Sequence, residues 1–184
     1  DPMDCMESLA GWLLARSYPR LPLDTHSLAQ PICEDDIGRL FASIFGHPTA
    51  DPGLLSRLGP AMGLSLLDSS GVYNPSECPI FPLIQEKIGP GPALFVDLHH
   101  YLAYEVGLAD QAASLYLMLF IQHEFPEHQI QLLNGAAMFM ADGGPLLGTR
   151  LTPDLIPLLA WEPNLESQAE SIGPASAPSF SDAR

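Results

Sequence analysis

The chain has 184 residues, enough for one domain with a single substantial core. It holds 22 Asp and Glu against 7 Lys and Arg, a formal net charge of −15. Such a charge repels phosphate backbones and anionic lipid surfaces, so nucleic-acid and peripheral membrane binding are set aside and a basic partner is favoured.

Three cysteines, Cys5, Cys33 and Cys78, lie far apart with no finger or CxxC spacing, which points away from a disulfide framework and towards a reducing cytoplasm. The first residues carry no basic stretch followed by an apolar core, so no signal peptide is expected. No apolar run approaches the roughly 20 residues of a bilayer span.

Met3 to Ser17 reads as a first helix, with Met6, Leu9, Trp12 and Leu13 on one stripe, stopped by Pro19 and Pro22. A second helix begins after Cys33, where Glu34, Asp35 and Asp36 favour the positive end of the helix dipole. Ile37, Leu40, Phe41, Ile44 and Phe45 keep its period until Gly46-His47-Pro48. Asp51-Pro52 is a capping acid followed by proline in the first turn, and opens a helix from Pro52 to Leu58. A short helix opening at Ser76-Glu77 and carrying Ile80, Phe81, Leu83 and Ile84 is broken up by Pro79 and Pro82. Ala93 to Val106 reads as one helix with Leu94, Phe95, Leu98, Leu102 and Val106 inward and Gly107 as its stop.

The central helix starts near Asp110 and is apolar on every side from Ala112 to Ile121, as a buried helix is. It is expected to break at Pro126 and restart as a second helix to Met140. Thr152-Pro153-Asp154 then begins a final helix, Leu155 to Trp161. Past Pro163 the composition turns to Ser, Ala, Pro and Glu, which predicts a disordered tail over 164–184. The sum is an all-α, single-domain helical bundle over residues 3–163, with seven or eight helices and short proline-rich loops.

Residue type and spacing offer three kinds of site. Asp97 and His100 share a helix face, but the paired Glu-x-x-His pattern of metal-binding bundles has no second copy, so these side chains read as solvated and no metal or cofactor is assigned. No G-x-S-x-G elbow, glycine-rich phosphate loop or H-E-x-x-H occurs, so no catalytic residue is assigned either. The polar knot Gln122 to Gln129 offers the third. A proline-forced junction between two helices would gather Glu124, Glu127 and His128, whose carboxylates suit an arginine, between apolar walls of Phe120, Phe125 and Met138. The plainer reading is a capped turn between helices.

Glu124-Phe125-Pro126-Glu127-His128 resembles the E-x-P-D-H signature of the TorD/DmsD/NarJ chaperones, with Glu127 in place of the Asp. Ile130-Gln131-Leu132-Leu133 and Phe139-Met140 are similar to the apolar helix that follows that signature. The resemblance implies an all-α cytoplasmic chaperone that holds a molybdoenzyme apoprotein or its twin-arginine leader. On that reading Glu124, Phe125, Pro126, Glu127 and His128 form the peptide-binding junction, and Tyr101 and Tyr104 help to line it. The partner is then a client protein or a basic, apolar peptide. Two alternatives are a metal-dependent helical-bundle enzyme, and a homo-oligomeric adaptor whose helix 111–121 packs against a sister chain.

Overall fold

The computed structural model describes residues 17, 21–23, 32, 34–64, 78–89, 91–123 and 127–175. The first predicted helix falls outside the described residues, as do Glu124, Phe125 and Pro126.

Helix α1, Glu34–Ile44, buries Ile37, Leu40 and Phe41, the residues whose spacing predicted it. Helix α2, Pro52–Leu58, begins as its sequence dictates: the Asp51 carboxylate accepts from the Leu54 N–H at 3.2 Å, with proline in the first turn. Arg39 ties the two helices by donating to the same Asp51 at 2.6 Å. Helix α3, Phe81–Ile88, runs unbroken because Pro82 sits in the first turn, where no intrahelical N–H is needed.

From residue 93 the chain departs from an all-α plan. Ala93–Leu94 is strand β1, and only Phe95–His100 is α-helix, α4. Tyr101–Val106 widens into a π-helical turn closed by a hydrogen bond from the Gly107 N–H to the Leu102 carbonyl at 3.1 Å. Gly107 follows at φ 97°, a conformation that favours glycine. Helix α5, Asp110–His123, is the central rod, buried at every position from Ala112 to Ile121. Phe120 meets the Phe81 ring edge-on at 5.5 Å, and the Tyr116 hydroxyl donates to the Met62 carbonyl at 2.6 Å.

The expected second half of that rod is a strand. His128–Leu132 forms β2, Arg150–Leu151 β3 and Ala169–Pro174 β4, and together with β1 they make an antiparallel sheet in the order β1-β4-β2-β3. One row across it reads Ala93, Ile172, Ile130, Leu151, apolar and turned to the core. The next row reads Leu94, Ser171, Gln131, Arg150, largely polar and on the other face.

The protein is therefore mixed α and β, with six α-helices and four strands among the described residues, and the expectation of an all-α bundle of seven or eight helices is overturned. The physical reason lies in the pairing: Ile130 and Leu132 alternate with Gln129 and Gln131, a two-residue period that a partner strand can use. That partner comes from the expected tail. Leu165–Gln168 is a short helix, α6, and β4 lies inside the sheet, so disorder from Asn164 is overturned as far as Ala175. The predicted helix over 155–161 reduces to one 3-10 turn, Ile156–Leu158, after which Leu159 is extended.

Candidate functional site

The polar knot comes apart where the structure describes it. With a strand rather than a helix after residue 127, there is no helix–helix junction at which acids could gather. The Glu127 side chain is exposed, and its carbonyl accepts from the Ala175 N–H at 2.8 Å. His128 opens β2 in register with Pro174, so its backbone serves the sheet. Partial burial lowers its imidazole below the ordinary value, partly offset by the neighbouring Glu127 charge. Phe120 and Met138, expected as walls of a groove, are core residues. Residues 112–121 are likewise buried inside their own chain, so they offer no face to a sister copy.

The two tyrosines separate. Tyr101 is buried, with the ammonium of Lys87 4.8 Å from its ring centre. Tyr104 stands 65% exposed beside the opening of a cleft of about 650 Å³. That cleft lies at the amino end of α5, and residues 127 and 128 follow the carboxyl end. Fourteen residues of helix separate the two, a span of about 20 Å.

The cleft has a clear construction. The widened π turn supplies one wall through Ala103 and Tyr104, with Leu108 just past it; α1 contributes Ile37, and the floor is Met62, Ala112 and Tyr116. The hydrogen bond from Tyr116 to Met62 fixes that floor. His99 sets the amino end of α5: its Nε2 lies 2.9 Å from the Asp110 carbonyl oxygen, which makes this nitrogen the donor. Polar groups join the lining, Asp110 and Gln111 from α5, Asn164 just before α6 and Glu166 in the first turn of α6. A second hollow of about 730 Å³ adjoins across Gln111, Pro163 and Asn164, and reaches Arg39 and Trp161. There the Trp161 indole N–H donates to Gln111 at 3.4 Å, and Gly38 lies so close that a Cβ would stand 2.8 Å from the indole.

An apolar interior of this volume with a few convergent polar groups is what a binding site for an organic ligand or a peptide segment requires. Cys78 is buried, and burial pushes its thiol up to about 11, so the nucleophilic thiolate is scarce near neutrality. Among the described residues, no three His, Cys, Asp or Glu side chains gather as a metal site would require, and no helix is long and apolar enough to cross a membrane.

Of the residues singled out in the sequence, the structure brings Tyr104 to the cleft and leaves Glu127, His128 and Tyr101 away from it. Asp110, Gln111 and Glu166 were not singled out. The one local signal was Asp110 as the first residue of the central helix. Glu166 lay in the stretch read as tail. Comparison with protein-family models, with curated proteins and with solved structures returns no match to this chain.

Proposed function

We propose that this chain is a protein-binding chaperone or assembly factor that holds an apolar segment of a client in the cleft at the amino end of α5. One observation carries the reading: a hollow of about 650 Å³ lined mainly by apolar side chains, with a few polar ones among them and the exposed ring of Tyr104 at its mouth. The adjoining hollow past Gln111 extends the trough, a shape that suits a chain segment more than a compact metabolite. A cytoplasmic site of action belongs to the same proposal, in keeping with a buried free thiol at Cys78 and widely spaced cysteines.

The narrower identity, a maturation chaperone for a molybdoenzyme or its leader, rests on the resemblance at residues 124–128. Three of those five residues lie outside the described residues, and the family's all-α frame is not the frame of this chain. The broader reading does not depend on them.

Fluorescence anisotropy with labelled short peptides of Ala, Leu, Val and Phe around a central citrulline tests it. Tyr104→Ala removes an aromatic at the mouth and Ala109→Trp obstructs an exposed position beside it; each is expected to weaken binding by roughly tenfold. Wild-type affinity in both variants overturns the proposal.

A further inference from the structure

Between β2 and α6 the chain builds a second, smaller arrangement of extended backbone outside the four-stranded sheet. Phe139 pairs with Pro145 and Met140 with Leu159, both antiparallel. Hydrogen bonds lengthen each pairing. The Leu146 N–H donates to the Met138 carbonyl at 2.9 Å, the Ala141 N–H to that of Leu158 at 2.8 Å, and the Ala160 N–H to that of Phe139 at 2.8 Å. Residues 138–141 are thus the middle of three paired segments, with 144–146 on one side and 158–160 on the other.

Successive residues of extended backbone alternate between two faces, and burial follows that alternation. Met138 and Leu159 are buried, whereas Phe139 and Leu158 are 52% and 53% exposed and Leu147 is 90% exposed. Ala141 and Pro145 are exposed as well. An antiparallel sheet with one wet face ordinarily carries polar side chains on it, yet these five outward residues are all apolar. Apolar composition on both faces belongs to a sheet covered on both, and a contiguous exposed apolar patch marks an interaction surface. None of the five is among the residues that line the two hollows at α5.

Charge and width choose the occupant. Over residues 137–162 the charged side chains are Asp142, Asp154 and Glu162 against Arg150 alone. Asp142 is exposed in the turn beside Ala141, and Asp154 is exposed shortly before the 3-10 turn that carries Leu158. A second copy related by a two-fold axis would bring the same acids, in chains of net charge −15, against one another. A partner with basic residues beside an apolar stripe is attracted instead. Three strands at their usual spacing put about 10 Å between the outer two, close to the diameter of one α-helix, about 10–12 Å. We infer that this face receives one amphipathic helix of another protein. Its apolar stripe lies on Phe139, Leu147 and Leu158, and its basic flanks lie towards Asp142 and Asp154.

The test uses a labelled helical peptide with Leu on one face and Lys on the other, and a scrambled peptide of the same composition in which the leucines are dispersed. Both carry the same charge, so non-specific attraction to an acidic chain cancels between them. Anisotropy titrations should show wild type preferring the amphipathic peptide by roughly tenfold or more. Phe139→Ser combined with Leu158→Ser should bring the two peptides near parity. Tyr104→Ala, at the mouth of the cleft, should leave the preference within about twofold of wild type.

Parity of the two peptides on wild type, or a preference that survives in the double variant, overturns the inference and leaves the cleft reading untouched. Loss of the preference in Tyr104→Ala assigns the peptide to the cleft and overturns it too. Sedimentation equilibrium of wild type and the double variant settles the other occupant: self-association that only wild type shows would give the face to a second copy, against the inference. Should circular dichroism show that the double variant has lost its fold, amide shifts of wild type with the amphipathic peptide decide. Movement at 137–147 and 158–160 is expected, and silence there contradicts the inference.

Discussion

At its carboxyl end α5 leads into the sheet, where strand pairing takes up the backbone. Ile130 lies between Leu151 and Ile172, the Glu127 carbonyl is paired with Ala175, and the Glu127 side chain faces water. The amino end of the same helix borders the cleft: apolar walls stay partly uncovered, Tyr104 is exposed, and a carboxylate oxygen of Glu166 has no donor among the described residues. The first region has more charged residues in a row, yet the second holds the cleft. Density of polar residue types marks a solvated connection as readily as a site, whereas uncovered apolar surface beside an unpaired polar atom marks a place where a partner gains free energy.

The sharpest way to break this comparison is to remove the strand that closes the carboxyl-end region. Deleting residues 169–184 takes out β4, which pairs with both β1 and β2, and exposes the row containing Ile130. Cooperative thermal unfolding should be lost; a calorimetric transition like that of the full chain would mean that the sheet is dispensable. Next in size is the helix that joins the two regions. Phe120→Ala empties a site against Phe81 and should lower the unfolding free energy by about 3–5 kcal/mol in urea titrations.

Tyr116→Phe acts on the cleft floor alone. It leaves the Met62 carbonyl without its donor and should cost about 1–3 kcal/mol in the same titration. At the other end, His128 gives a pH signature. Its folded-state affinity for protons is lowered from the ordinary 6.5, so above that pH the ring is neutral folded or unfolded and contributes no slope. As pH falls below 6.5 the unfolded chain takes up a proton that the folded chain resists, and stability declines until the lowered folded value is passed. His128→Asn should flatten that part of a stability-against-pH curve, and an unchanged slope would assign it elsewhere. The smallest effect belongs to Glu127→Ala, an exposed side chain whose loss should change stability by no more than about 0.5 kcal/mol and leave peptide affinity unaltered.

How legible this arrangement was in the sequence depended on whether a signal was local. The helix over 52–58, with its capping acid and first-turn proline, was readable because cap, proline and first turn sit within a few residues. The buried rod of α5 was readable because its apolar surface extends all round. The sheet was not, because its strands are short and its pairings distant: Ile130 meets Ile172 across more than a fifth of the chain, and β1 and β3 hold two residues each. The alternation in 129–132 was present but brief, and Gly173 and Pro174 disguised β4 as linker. The cleft was hidden for the same reason, since its wall draws on Ile37, Tyr104, Asp110 and Glu166.

The central claim, that binding belongs to the amino end of α5, is tested most directly by mapping backbone amide shifts during titration with the citrulline-centred peptides. The shifts should cluster at residues 103–112 and 164–166 and leave 127–132 unmoved. Movement confined to 127–132, with 103–112 and 164–166 silent, would contradict it.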